Sequence, residues 1–269
     1  MNRLIHEIQK RQGIQTIFWI LILAVLWEAF SRLGWINAYL LPSFSTVLRA
    51  TYAEIAAGRY LFQVLNSFYM ILLGFAISAA LALVIITLCI WSKVIHSFVK
   101  SLCILLAPLP GVAIMPIIIL LFGIDTKAMV VLMVHSVLWP LTMNALSGIQ
   151  TIPKTIVEYA KNIQLPKAKM FLNVYIFAIM PCILTGLKIG WGRAWRALIS
   201  AEMVFGMIGS LGGIGYYIYT NRAYGNMTKV MVGVISVVII GVVVEHLFFG
   251  LIEKATVKKW GMIDETGLG

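Results

Sequence analysis

Between residues 60 and 92 the chain carries no Asp, Glu, Lys, Arg or His. That stretch admits few solutions. About 20 apolar residues cross the hydrocarbon core of a bilayer as a helix, and a helix satisfies its own backbone hydrogen bonds where no water can. The apolar part of this stretch, 61–90, is one of six such windows; the others are 14–33, 94–122, 128–146, 177–205 and 230–252. A composition with 61% hydrophobic and 12% charged side chains agrees, and it excludes an ordinary soluble domain. The expected fold class is all-α integral membrane, with about six transmembrane helices in a single domain over 1–269. The connecting stretches are too short for a soluble domain. The window 61–90 is long enough to tilt or to extend past the bilayer.

The net charge of +11 does not point to nucleic acid, because the basic residues flank the apolar windows and suit lipid headgroups. With a cytoplasmic N-terminus, twelve Lys and Arg fall inside, among them Lys93, Lys100, Lys154, Lys161, Lys254 and Lys258, against six outside. Both termini are expected in the cytoplasm. The first window ends in Ser31-Arg32-Leu33-Gly34 rather than a small-x-small cleavage site, so it is expected to stay in the mature protein. Cys89, Cys103 and Cys182 lie within apolar runs at no metal or disulfide spacing and read as packing residues.

The largest cytoplasmic loop lies between windows four and five. Within it, Ile152, Ile156, Tyr159, Ala160 and Ile163 recur near the helical period, Pro153 suits a first turn, and Leu165-Pro166 ends the run. A short amphipathic helix is expected over 151–166. Two readings stay open from the residues alone: a helix lying on anionic lipid, and a helix docked in a groove of a soluble partner.

The fifth window carries Lys188, Arg193, Arg196 and Glu202. At 100° per residue, Arg193, Arg196 and Ser200 share one helix face. Cations at membrane depth are costly unless they meet water, a partner or an interface, so this face is expected to line a cavity and to concentrate an anionic solute. The alternative is that they pair with Glu202, with another subunit or with headgroups. Pro108, Pro110 and Pro116 mark the third window as bent, which is tolerated beside a cavity. Pro108, Pro110, Pro116, Arg193, Arg196 and Ser200 are therefore the candidate pathway residues. Glu28, His135 and Glu245-His246 show no relay or metal spacing, and Glu28 and Glu245-His246, which lie near span ends, are expected to be solvated or paired. The glycines Gly206, Gly209, Gly212, Gly213 and Gly215 have no Gly-Lys-Ser/Thr ending, so they are not a P-loop and are expected to form an outer re-entrant turn.

Glu158-Tyr159-Ala160, with a turn near Gln164 and Pro181 further on, resembles the EAA loop of bacterial ABC importer permeases. Here Tyr159 stands for the family's second Ala, Gln164 for its Gly, and Ile176-Phe177 for its Leu-Pro. Pro108-Leu109-Pro110 with Leu121-Phe122-Gly123-Ile124, Gly186-Leu187-Lys188 with the run from Ala194 to Glu202, and Leu41-Pro42-Ser43 are similar to the taurine, sulfonate and nitrate branch. The resemblance implies a type I importer in the bacterial inner membrane. It would comprise two copies of an ABC ATPase subunit holding ATP and Mg, a homodimer of permeases, and an extracytoplasmic solute-binding protein. This chain would bind no cofactor and would not be an enzyme. Glu158, Tyr159, Ala160, Gln164 and Leu165 would form the ATPase-coupling site, with Tyr159 and Ala160 packed in the ATPase groove. The rival readings are a membrane enzyme using Glu202, Arg193 and His135, and an ion-coupled secondary transporter; neither a compact catalytic constellation nor an internal repeat supports them.

Overall fold

The computed structural model describes residues 2–207 and 212–262, and those residues form helices and turns with no strand. In chain order the helices are α1 (Asn2–Arg32), α2 (Phe44–Ala56), α3 (Arg59–Trp91), α4 (Lys93–Leu106), α5 (Gly111–Phe122), α6 (Thr126–Thr151), α7 (Lys154–Asn162), α8 (Lys167–Met170), α9 (Phe177–Phe205), α10 (Ile214–Ala223), α11 (Met227–Val243) and α12 (Phe249–Ala255). Turns of π-helix, Phe171–Ile176 and Val244–Phe248, join α8 to α9 and α11 to α12 without a break.

Among the described residues four helices are long and apolar enough to cross a membrane: α3, α6, the continuous Lys167–Phe205 rod and the continuous Met227–Ala255 rod. The pair α4 and α5 makes a fifth if it is counted as one span. The first expected window lies in α1, so a sixth span stands as an expectation carried by α1 alone.

The third window is bent at its prolines as expected, and the bend is a full break: α4 and α5 meet at 104° across residues 107–110. Pro108 and Pro110 supply no N–H to continue the α4 ladder, and Pro110 itself is extended (φ −63°, ψ 134°), which divides the run. Pro116, by contrast, sits inside α5 without breaking it. The loop helix is also shorter than 151–166. Pro153 occupies the N-cap of α7 rather than its first turn, and the helix ends at Asn162.

The chain divides into two compact units, one holding the residues up to Leu61 with Tyr217–Ser236, the other Phe62–Tyr216 with the residues from Val237 on. In the first, Glu28 accepts from Arg32 Nε (2.7 Å) and from the Ser45 N–H (3.0 Å) and hydroxyl (2.9 Å), tying the end of α1 to the start of α2. Ser43 caps α2 by accepting from the Thr46 N–H. Lys229 pairs with Glu54 at 2.7 Å, and the rings of Tyr60 and Tyr217 lie 4.6 Å apart.

The second unit is organised on α6 and α9. A Cβ on Gly186 would fall 2.8 Å from Leu141 Cα, and one on Gly190 would fall 3.1 Å from Val137 Cγ1. The four-residue spacing therefore lets the two backbones approach at van der Waals distance. That contact matters in lipid, where apolar side chains gain little by leaving one apolar medium for another. One turn further along α9, Trp191 and Trp195 stack with centroids 5.8 Å apart and pack with Phe68 of α3, and Trp195 Nε1 donates to the Val237 carbonyl at 3.1 Å. Cys89 and Cys103 are buried in one apolar cluster with Val99 and Leu146.

Candidate functional site

Because Gly186, Gly190, Ala194 and Trp195 commit one side of α9 to packing, its next turns present Arg193, Arg196 and Ser200 elsewhere. They line a cavity of about 230 Å³ together with Pro108, Pro110 and Gly111 of the α4–α5 elbow and His135 and Ser136 of α6. Five of the six candidate pathway residues thus border one space; Pro116 does not.

The polar groups of this cavity differ in what they already hold. Arg193 donates a guanidinium N–H to the Ala107 carbonyl, one of the carbonyls left unpaired where α4 ends. The Ser136 hydroxyl donates to the Leu132 carbonyl at 2.9 Å, and the Ser200 hydroxyl to the Arg196 carbonyl at 2.9 Å, both within their own helices. The Arg196 guanidinium makes no hydrogen bond or ion pair among the described residues. The ring nitrogens of His135 are shielded from solvent and have no hydrogen-bond partner there, although Trp139 meets the ring edge-on at 6.4 Å. Gly111 holds the elbow close: a Cβ there would stand 3.1 Å from both Ala197 Cβ and Ser136 Oγ.

The alternative pairing of the arginines with Glu202 does not occur. Glu202, six positions after Arg196, is 3% exposed and accepts from the Ser67 hydroxyl at 2.6 Å and the Gly215 N–H at 2.8 Å. Ser67 Oγ in turn accepts from the Ile214 N–H at 3.0 Å, so the carboxyl group and its partner together cap α10. Side chains on Gly213 and Gly215 would collide with Glu202. Of the glycine run, Gly206 ends α9 and the Gly212 carbonyl accepts from Asn66 Nδ2 at 2.9 Å, while Gly209 lies outside the described residues. Lys188, the remaining cation of α9, pairs with Glu253. Glu245 and His246 are exposed in the second π-turn.

On α7, Ile156, Tyr159 and Ile163 are 47%, 67% and 53% exposed, a face that this chain leaves uncovered, with Glu158 exposed beside it. Ala160 is different: it is buried against its own chain, so it is not available to fill a partner's groove alongside Tyr159. Its carbonyl accepts from the Leu165 N–H at 3.1 Å, closing the turn. Gln164 in that turn has φ of 53°, a left-handed conformation that costs a non-glycine residue about 1–2 kcal/mol. This is the position where the EAA pattern has Gly.

Among the polar side chains that line the cavity, the sequence reading missed His135 and Ser136. Ser136 carried no signal. His135 did: it is an imidazole within an otherwise uncharged span, and only its register on α6 was lacking.

A family profile described as "Binding-protein-dependent transport system inner membrane component" matches residues 91–258, a stretch that takes in the elbow, the cavity, α7 and α9. Among curated proteins, the chain is 28% identical to SsuC of Bacillus subtilis, named as an aliphatic sulfonates transport permease, over 94% of this chain and 92% of that one. The protein of the same name from Escherichia coli is 28% identical over 86% of this chain and 88% of its own. The nitrate import permease protein NrtB of Synechocystis is 26% identical over 72% and 69%.

Proposed function

The chain belongs to the binding-protein-dependent transport system inner membrane components, and from that premise we propose that it forms the path by which an ABC importer admits a small oxyanion of the sulfonate or nitrate kind. The observation that supports this is the cavity at the α4–α5 elbow, which is lined by two guanidinium groups of α9. At an effective dielectric near 20, one cation 4 Å from an anion contributes about 4 kcal/mol before desolvation. Two cations, one already engaged with a carbonyl, give attraction without a trap, which is what a path requires.

ATP belongs to a separate polypeptide, since this chain has no Gly-Lys-Ser/Thr motif. In this reading two ATPase subunits grip α7 through Glu158, Tyr159 and the exposed Ile156 and Ile163, with Gln164 and Leu165 shaping the turn behind them. The helix moves as a rigid body when the ATPases close, and the flanking spans α6 and α9 carry the motion to the cavity. A second copy of the chain completes the membrane domain, a solute-binding protein delivers cargo from outside, and both termini face the cytoplasm.

Reconstitution tests the reading. Purified from its own membrane, the chain is expected to bring down a P-loop ATPase in stoichiometric amount, and the complex in proteoliposomes with its binding protein is expected to hydrolyse ATP faster when oxyanion is supplied. Arg193→Ala with Arg196→Ala is expected to abolish that stimulation at unchanged assembly. Full uptake and unchanged anion preference in the double variant would remove the cavity from the path.

A further inference from the structure

A second cavity, of about 90 Å³, lies between α4 and α6, lined among others by Lys100, Cys103, Ile104, Met143, Ser147 and Gln150. It continues the walls of the first. On α6, Met143, Ser147 and Gln150 follow Ser136 by 7, 11 and 14 positions, which places them within about 40° of it on one helix face and about 10 to 20 Å further along the axis. On α4, Ile104 and Lys100 precede Ala107, whose carbonyl Arg193 holds, by three and seven positions.

The polar side chains of this cavity are uncommitted. The ion pairs among the described residues are Arg32 with Glu28, Lys188 with Glu253 and Lys229 with Glu54, so Lys100 has no carboxylate. Neither the Ser147 hydroxyl nor the Gln150 amide makes a hydrogen bond among the described residues. Ser101, Ser136 and Ser200, by contrast, each donate to a carbonyl one turn back in their own helix. The backbone N–H groups around the cavity lie inside α4 and α6 and serve those helices, and the Cys103 thiol is buried and a weak donor. The usable set is therefore one ammonium, one amide and one hydroxyl. No Asp or Glu occurs from Lys93 to Phe122 or from Thr126 to Thr151, so an anion here meets no carboxylate of α4, α5 or α6. An unpaired cation midway along a helix of the membrane domain, beside two neutral donors, suits an acceptor that comes and goes.

We infer that this cavity is a second oxyanion station, through which the solute passes between the elbow cavity and the cytoplasm, with Lys100 supplying the charge and Gln150 and Ser147 the directed donors. The inference rests on the reading that the elbow cavity lies on the solute path and that the loop carrying α7 faces the cytoplasm. Gln150 stands in the last turn of α6, next to that loop. At the elbow the fixed charge is guanidinium, which holds planar oxyanions through paired bonds; the lysine ammonium is a compact charge on a flexible stem, suited to release. A phosphodiester headgroup offers the same acceptor chemistry as the solute, and the experiment distinguishes the two.

Met143→Cys puts a thiol in the cavity without touching its three polar groups. In the complete complex of permease and ATPase in phosphatidylcholine nanodiscs, its reaction with an anionic sulfonatoethyl and a cationic trimethylammonioethyl methanethiosulfonate is measured against the parent protein, whose Cys89 and Cys103 are buried. The ratio of anionic to cationic rate is expected to fall about tenfold when Lys100→Gln is added. Nitrate or ethanesulfonate, replacing chloride at constant ionic strength, is expected to slow the anionic reagent about fivefold with Lys100 or Lys100→Arg and to leave it unchanged with Lys100→Gln. Should Met143→Cys fail to assemble, Ile104→Cys, 55% exposed on the α4 wall, carries the same information. Protection that persists in Lys100→Gln, or no protection by either oxyanion, would overturn the station. So would protection conferred by phosphatidylglycerol in the nanodisc in place of the solute, which would make the cavity a headgroup site. The path reading is judged apart, by uptake in the Arg193→Ala, Arg196→Ala double variant. Full uptake there removes the path and the station with it; lost uptake there, with an unprotected Met143→Cys, removes the station alone.

Discussion

Arg196 and Glu202 stand six positions apart on α9, both charged in water and both set in a run of apolar neighbours, yet the fold treats them in opposite ways. Around Glu202 the structure closes: Ser67 and Gly215 donate to the carboxyl group, glycines at 213 and 215 leave room for it and nothing more, and the side chain is 3% exposed. Around Arg196 it opens, with a cavity of about 230 Å³ and, on the opposite wall, an imidazole without a partner. A polar group at membrane depth has to be matched by something. Where the match comes from the chain itself, the result is a fixed joint; where it is withheld, the result is open space. Adjacent turns of one helix thus serve as a fastening and as the wall of a cavity.

The sharpest way to break this contrast is to crowd the closed end. Gly215→Val places a branched side chain against the Ile199 carbonyl and within 2.7 Å of Glu202 Cβ. A loss of about 3 kcal/mol or more is expected, seen as a fall in melting temperature of about 6 °C or more, or as failure to accumulate in the membrane. A variant that melts like the wild type would show that the joint has slack. Glu202→Gln is milder. Both partners of Glu202 are donors, so one of them then faces an amide NH₂; a cost of about 1–3 kcal/mol is expected in the same melting measurement, with oxyanion affinity unchanged.

At the open end the signature reverses. Arg196→Ala removes no intramolecular partner, so the melting temperature of the solute-free complex is expected to hold, within about 0.5 kcal/mol. Oxyanion-stimulated ATP hydrolysis is expected to drop about tenfold, equivalent to about 1.4 kcal/mol. A variant that unfolds would mean Arg196 is another fastening. The smallest effect is expected from Ser200→Ala, whose hydroxyl is satisfied within α9: less than about 0.5 kcal/mol in stability and less than about threefold in half-saturating oxyanion. A larger change in the titration would show that the hydroxyl turns toward the solute.

Local features of the chain were legible in advance. The window 177–205 ends with α9 at Phe205, though the continuous rod starts earlier at Lys167, and 61–90 coincides with most of Arg59–Trp91, because a long apolar run has few other fates. The shared face of Arg193, Arg196 and Ser200 follows from helix geometry, and all three border the cavity. Less legible was α2, a 13-residue helix whose start is fixed by Ser43 and tied to Glu28 from α1. The 104° elbow also exceeded expectation, since prolines mark where a helix breaks and not the angle at which its halves are then held. That angle depends on Arg193 reaching Ala107 and on Gly111 packing against Ala197, contacts made by α9.

By itself the sequence determined that the chain lives in a bilayer, which stretches form its long apolar helices, and which face of α9 carries the cations. Those properties depend on residues within a few turns of one another, and hydropathy and helical period report them directly. Only the tertiary structure decided which charges are spent and which are kept. Glu202 finds Ser67 across 135 positions of chain, and His135 comes to border the same cavity as the arginines of α9 where Gly186 and Gly190 let α6 come close. Partners of that kind are chosen by packing between helices, a distance in space that the order of residues does not encode locally.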